Sequence, residues 1–123
     1  MNNIVDGGCF CGTVRYSFES NNYPSSNCHC SMCRRTSGAA FVSWMAIPVT
    51  SFKFNKGEPK KLVSSDHGTR YFCKECGIYT HHNPRSAPAM TGFNLGCVDE
   101  VKVEDLKDVA FFDGLNHPMD QKK

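Results

Sequence analysis

Eight cysteines provide most of the chemical capacity of this 123-residue chain, and seven of them fall in three short clusters. The clusters are Cys9-Phe10-Cys11, Cys28-His29-Cys30-Ser31-Met32-Cys33 and Cys73-Lys74-Glu75-Cys76. Clustered cysteines in a reducing compartment are typical of metal ligands or catalysts rather than disulfides. The eighth, Cys97, follows a predicted strand and has no partner nearby in sequence, which favours a small buried thiol.

The Cys73–Cys76 pair is the most specific of these signals. In a Cys-x-x-Cys-Gly knuckle the backbone turns both sulfurs toward one ion, and Gly77 accommodates the positive φ of that turn. A closed tetrahedral zinc site needs a second pair of ligands. The spacing leaves two candidates for that pair: Cys9 with Cys11, or two of Cys28, Cys30 and Cys33. A redox pair or simply buried thiols are the competing interpretations.

The number of clustered cysteines also indicates a function. Seven divide into four and three. Four thiolates close a structural zinc site, whereas three leave one coordination position open, as in a catalytic zinc site.

The elements that must position these cysteines are predicted to be mostly strands, because apolar and polar residues alternate, as at Val14, Tyr16 and Phe18. The predicted strands are 13–18, 39–47, 52–54, 60–64, 69–72, 78–81, 89–95 and 109–112. Short helices are predicted at 31–37, ended by Gly38, and at 103–107. A loop is predicted at 21–26 and a frayed tail after Asn116. This pattern predicts a mainly β domain.

Length, charge and hydropathy limit the possible classes. The length predicts a single domain over 1–123 with a modest core, which bound metal would supplement. A net charge of +2 without a basic stripe predicts no nucleic-acid partner. The sequence shows no signal peptide and no run of about 18 apolar residues, so we expect a cytoplasmic protein without a membrane partner.

Three segments resemble the motifs of the glutathione-dependent formaldehyde-activating enzyme family, whose domain also occurs in centromere protein V. In the family's order they are GGCFCGTVRY at residues 7–16, CHCSMCRRTSG at 28–38 and FCKECG at 72–77. The resemblance covers residues 7–113, the core of the single zinc domain. It implies a mainly β, Mss4-like fold of several small coiled antiparallel sheets around a structural zinc.

The resemblance also implies two Zn²⁺ per chain and a role for each clustered cysteine. The implied ligands of the structural zinc are Cys9, Cys11, Cys73 and Cys76, and those of the catalytic-type zinc are Cys28, Cys30 and Cys33. Cys97 matches no family ligand. The implied activity is that of a carbon–sulfur lyase acting on an adduct of a small aldehyde with glutathione or a similar thiol, such as S-hydroxymethylglutathione. The name-giving enzymes are longer, so glutathione contacts outside the shared domain do not transfer.

The sequence also offers candidate substrate-binding residues and two alternative functions. Arg34 and Arg35 are candidates to bind substrate carboxylates, although loop arginines are also commonly solvated. A non-catalytic, zinc-stabilised binding module is the alternative function, and a thiol redox enzyme would require Cys97 as its reactive thiol. We expect the His29 ring to point away from the metal. His81 and His82 are expected to be surface histidines or histidines held by structural hydrogen bonds. Phe41 and Trp44 are expected in the core.

Overall fold

A computed structural model describes residues 3–20, 25–65, 68–84, 88–101 and 109–112. Within these ranges the chain forms strands, one α-helix and a 3₁₀ turn at Leu95–Cys97. The strands and the helix are β1 (Asn3–Gly8), β2 (Arg15–Ser20), β3 (Ser25–Cys28), α1 (Ser31–Ser37), β4 (Val42–Pro48), β5 (Phe52–Lys56), β6 (Lys60–Ser65), β7 (Gly68–Phe72), β8 (Tyr79–Pro84), β9 (Met90–Asn94) and β10 (Phe111–Phe112). The helix predicted at 103–107 and the predicted tail lie outside the described residues.

The strands form two sheets. The smaller has the order β1-β2-β5, and the larger has the order β10-β3-β4-β9-β8-β7-β6. Every pairing is antiparallel except that of β10 with β3. The predicted mainly β, antiparallel fold is therefore confirmed.

Each predicted strand in the described ranges has a counterpart, but β1 and β3 were not predicted. β1 lacks an alternating pattern, and its pairing with β2 along its full length defines it as a strand. β3 is polar and lies inside the larger sheet, so the predicted loop is wrong at Ser25 and Ser26, which pair with β4. Hydrogen bonds from Asn27 Nδ2 to the Val109 carbonyl (3.3 Å) and from the Ser43 hydroxyl to Asn27 Oδ1 (2.5 Å) satisfy this polar strand.

Aromatic rings make the core between the sheets. Tyr16 and Phe18 of β2 pack on Phe93 of β9, with ring centroids 4.5 and 5.0 Å away. His81 lies in this core, stacked on Tyr71 with centroids 4.3 Å apart, and one ring nitrogen bonds the Thr80 hydroxyl at 2.9 Å. Burial lowers the pKa of His81 to about 3, so its ring is neutral in the folded chain. His81 is therefore a structural histidine, held in the core rather than at the surface.

The two aromatic residues predicted in the core around β4 have different positions. Trp44 is buried, as predicted. Phe41 is 42% exposed, so its predicted core position is wrong. It precedes β4 rather than lying within it, and its ring packs edge-on against Phe111. No helix in the described ranges is long and apolar enough to span a membrane.

Candidate metal centres

The first candidate centre, the four-cysteine cluster, comprises Cys9, Cys11, Cys73 and Cys76. It is built by two similar loops, the β1–β2 knuckle (residues 9–14) and the β7–β8 knuckle (residues 73–78). Each loop is closed by a hydrogen bond from its first cysteine, to the Val14 carbonyl at 3.1 Å and to the Ile78 carbonyl at 3.0 Å. One knuckle comes from each sheet, so this cluster joins the two sheets.

A glycine follows the second cysteine of each knuckle. Gly12 has φ +81° and Gly77 has φ +76°, a region that residues with a Cβ rarely adopt. No atom lies within 4 Å of an ideal Cβ at either position, so conformation rather than space requires glycine. The prediction for Gly77 is confirmed.

The sulfur geometry of the four-cysteine cluster fits one tetrahedral ion. Cys11 Sγ lies 3.6 Å from Cys9 Sγ and 3.7 Å from Cys73 Sγ. Four zinc–sulfur bonds of about 2.3 Å at tetrahedral angles place the sulfurs about 3.8 Å apart, whereas a disulfide requires about 2.05 Å. All eight cysteines of the chain, each within the described ranges, are free thiols. The arrangement therefore suits metal binding and not oxidation to a disulfide.

Backbone amides support the sulfurs in both knuckles. The Val14 N–H donates to Cys9 Sγ at 3.3 Å, and the Cys76 N–H donates to Cys73 Sγ at 3.4 Å. Burial raises the pKa of Cys9, but the amide of Val14 and the neighbouring thiols outweigh it and leave the pKa below its usual value. These amides favour the thiolate form that a metal ligand must adopt.

The second candidate centre, the three-cysteine cluster, comprises Cys28, Cys30 and Cys33, whose sulfurs lie within 4.8 Å of one another. Cys28 ends β3, Cys30 caps α1, and Cys33 lies in the first turn of α1. The Cys33 N–H donates to Cys30 Sγ at 3.3 Å. The helix ends at Gly38, which has φ +71° and donates to the Arg34 carbonyl, so the helix predicted at 31–37 is confirmed.

The three-cysteine cluster lies in an apolar environment. Cys30 and Cys33 are buried against Val42, Trp44 and Tyr79. Hydrogen bonds with Cys28 and Cys33 lower the pKa of Cys30, whereas hydrogen bonds with Cys28 and Cys30 raise the pKa of Cys33. The cluster thus shares protons among its sulfurs, and a bound cation would replace those protons.

Arg70 of β7 is a polar neighbour of this cluster that sequence reasoning missed. Its side chain is 4% exposed, donates to the Tyr79 hydroxyl and lies over the Tyr79 ring, 5.5 Å from the centroid. Burial opposes the charged form of Arg70, but Tyr79 and Cys33 outweigh it and raise the pKa of Arg70. A sequence signal exists, because alternation along β7 places Arg70 on the same face of the strand as Phe72.

His82 and Trp44 form a pair beside the same cluster, with ring centroids 4.4 Å apart. Burial lowers the pKa of His82 to about 4. His82 Nδ1 and Trp44 Nε1 are both buried without a hydrogen-bond partner in the described part of the chain. His82 is therefore partly buried, with its ring packed on Trp44, and it is not one of the grouped metal ligands of the described residues.

The remaining candidates lie near the centres without joining their sulfurs. Arg34 Nε donates to the His29 carbonyl at 2.9 Å and thus braces the loop between Cys28 and Cys30. Arg35 is exposed, and the substrate role of both arginines stays a prediction. The His29 ring lies edge-on to Phe111, 6.3 Å away, and is not one of the grouped metal ligands.

Cys97 behaves as a structural thiol. It is half-buried, and its Sγ lies 3.8 Å from the Tyr79 carbonyl oxygen. Burial raises the pKa of Cys97 to about 11, which keeps it protonated at neutral pH. This environment favours the buried-thiol interpretation over a reactive redox cysteine.

Comparison with known proteins gives consistent relatives. A family model described as "Glutathione-dependent formaldehyde-activating enzyme" matches residues 4–112. A protein of Halomonas elongata that is named after the same enzyme is 27% identical over 81 residues, covering 59% of this chain and 52% of that protein. This chain therefore matches about half the length of that curated relative. A crystal structure of a Rhodobacter sphaeroides protein has a TM-score of 0.74 and 29% identity, covering 87% of this chain and 99% of the other.

Proposed function

Because the chain belongs to the glutathione-dependent formaldehyde-activating enzyme family, we propose that it is a zinc-dependent carbon–sulfur lyase. Its substrate would be the adduct of a small aldehyde with glutathione or a similar thiol, such as S-hydroxymethylglutathione. The observation that carries the proposal is the three-cysteine cluster. Its sulfurs lie together, and no fourth His, Cys, Asp or Glu of the described residues joins them.

The two clusters would have different roles, one structural and one catalytic. The four-cysteine cluster supplies a full tetrahedral set and connects the two sheets, so we assign it a structural zinc. The three-cysteine cluster supplies one ligand fewer, so we assign it the catalytic-type zinc. A zinc ion held there would offer its open position to a substrate thiol and favour the thiolate form of that thiol.

The two sides of the three-cysteine cluster differ in their burial. Trp44 and Tyr79 cover the inner side of the cluster, while Cys28 is only half-buried. A substrate thiol would therefore approach from the side of Cys28. Arg34, which braces this loop, would stand beside the path of a carboxylate-bearing thiol.

The proposed reaction balances without an external oxidant or reductant. In the lyase direction the carbon–sulfur bond of the hydroxymethyl adduct breaks, and its electron pair remains on sulfur. The hydroxyl group loses its proton as the carbonyl of the aldehyde forms. In the reverse direction the thiolate attacks the aldehyde carbon, and the new oxyanion takes up a proton.

Native mass spectrometry during a glutathione titration tests the proposal. We expect two zinc ions and one glutathione per wild-type chain, and a Cys30→Ala variant that keeps one zinc and loses glutathione. Cys97→Ser is the matched control, because it removes a cysteine outside both clusters, and it should retain both ligands. An exchange experiment by NMR then measures formation and cleavage of the hydroxymethyl adduct.

Two results would contradict the proposal. Two zinc ions without a glutathione complex or turnover would favour a zinc-stabilised binding module. Loss of activity in Cys97→Ser with zinc retained would favour thiol redox chemistry.

A further inference from the structure

Arg70 is a buried cation placed beside the three-cysteine cluster, where it contacts Tyr79 of the cluster's apolar surroundings. We propose that Arg70 is a positioning residue that supplies the counter-charge of the three-cysteine centre and thereby raises its affinity for a divalent metal. This inference rests on the proposed function, because it assumes that the cluster binds a metal ion. Arg70 would act through Cys33 and would not contact the substrate.

The position of Arg70 is fixed by its contacts. Its guanidinium donates to the Tyr79 hydroxyl, and Tyr79 packs in the same buried cluster as Cys33. Tyr79 is itself held between Trp44, at a centroid distance of 5.0 Å, and Phe72, at 5.1 Å. A guanidinium with little freedom to move is thus kept next to a thiol that would become a metal ligand.

The charges of the centre explain why a cation belongs there. Three thiolates around a divalent metal carry a net charge of −1, and a buried net charge is costly unless it is paired. Arg70 adds +1 and brings the buried assembly to neutrality. Its guanidinium stays protonated at any pH at which the protein folds, so the compensation is permanent.

The four-cysteine cluster shows the contrast within the same molecule. With a divalent metal its net charge would be −2, yet Cys11 is exposed and Cys76 is half-exposed. Water can therefore solvate that charge, whereas Cys30 and Cys33 are 6% and 4% exposed. A counter-charge from the protein matters more at the three-cysteine centre.

The experiment measures metal affinity at each centre of the full-length chain. Zn²⁺ is titrated against a chromophoric chelator, and Co²⁺ is titrated while the sulfur-to-cobalt absorption bands are recorded. A Cys30→Ala variant identifies the signal of the four-cysteine centre. Arg70→Met removes the charge at similar length, and Arg70→Lys retains it.

We expect Arg70→Met to lower Zn²⁺ affinity at the three-cysteine centre by about 10- to 100-fold, the usual effect of removing a residue that supports metal ligands. Affinity at the four-cysteine centre should not change, and Arg70→Lys should recover most of the loss. The cobalt bands of the three-cysteine centre should shift in Arg70→Met only.

Distinct outcomes would overturn the inference. Unchanged affinity in Arg70→Met, or an equal loss at both centres, would show that Arg70 does not act as the counter-charge. A wild-type chain that binds metal only at the four-cysteine cluster would overturn the proposed function and this inference with it. If Arg70→Met does not fold, Arg70→Gln replaces it, and Tyr79→Phe, which releases the guanidinium from its hydroxyl partner, should cause a smaller loss in the same direction.

Discussion

The two cysteine clusters differ in where their ligands come from. The four-cysteine cluster takes one knuckle from each sheet, and its ligands Cys11 and Cys73 are 62 residues apart. The three-cysteine cluster takes all its ligands from six consecutive residues, 28–33. A metal ion in the first would close a long loop, whereas an ion in the second would tie together only a local turn.

This difference predicts different consequences of metal binding. Closing a long loop reduces the entropy of the unfolded chain, so an ion in the four-cysteine cluster contributes strongly to stability. An ion among three neighbouring cysteines contributes less to the fold and is available for chemistry. We therefore expect a metal ion in the four-cysteine cluster to matter mainly for folding, and one in the three-cysteine cluster mainly for the proposed chemistry.

The largest expected effect is the loss of folding in Cys73→Ser. Cys73 is 1% exposed and belongs to the centre that joins the sheets. Zinc binding in small zinc-dependent domains provides about 10–16 kcal/mol, as much as the whole stability of a typical domain. We expect no cooperative unfolding transition by circular dichroism, and the same result for wild type after removal of zinc by a chelator. Cys97→Ser is the control, and a cooperative transition in Cys73→Ser would contradict the structural assignment.

The second prediction concerns Cys30→Ala, which should separate activity from stability. The four-cysteine centre remains intact in this variant, so we expect a loss of about 1 kcal/mol in the free energy of unfolding, typical of a single buried substitution. Exchange of aldehyde between free and thiol-bound forms, followed by NMR, should fall to the uncatalysed rate. If Cys30→Ala unfolded as readily as Cys73→Ser, the proposed difference between the two centres would be wrong.

The sequence predicts the local parts of both centres better than their long-range assembly. Cys-x-x-Cys-Gly at 73–77 and the helix stop at Gly38 depend on a few adjacent residues, and the structure confirms both. Spacing alone does not determine that Cys9 and Cys11 meet the second knuckle. That contact depends on the packing of two sheets, and only the family resemblance indicated it.

The missed features have a common physical cause. β3 is polar, and its burial depends on pairing with β4 and β10. Arg70 follows the alternation of a strand, but a charged residue at a core position is recognisable only when its hydrogen-bond partner, Tyr79, is known. Polar groups inside a protein are specified by three-dimensional partners rather than by local pattern.

The third prediction is a pH dependence of stability that originates outside both centres, at His81 in the aromatic core. The pKa of this histidine is about 3 in the folded chain and about 6.5 when it is unfolded, so the unfolded chain binds more protons between these values. The contribution of His81 to stability should therefore decrease as the pH falls below about 6.5, by about 2 kcal/mol at pH 5.

His81→Phe tests this dependence because it keeps an aromatic ring between Tyr71 and Phe93 but cannot titrate. The free energy of unfolding of each chain is measured in urea from pH 5 to 8 with zinc present. The variant should lose less stability than wild type toward pH 5, and the difference between the two chains should be constant near pH 8. Parallel profiles would exclude His81 as the source and leave two others, namely His82, whose pKa burial also lowers, and release of metal from the cysteine centres.

The smallest expected effect compares the two knuckles directly. Gly12→Ala and Gly77→Ala each place a Cβ on a residue with positive φ, where no atom lies within 4 Å to obstruct it. Backbone strain alone should cost about 1–2 kcal/mol, with a matching fall in zinc affinity at the four-cysteine centre. Gly38→Ala is the matched control, because Gly38 has a similar φ and the same free space but belongs to the cap of α1. Gly38→Ala should lower the free energy of unfolding by as much as the knuckle variants, while zinc affinity at the four-cysteine centre stays unchanged. An equal loss of zinc affinity in all three variants would show that the knuckle glycines have no specific role in holding the metal.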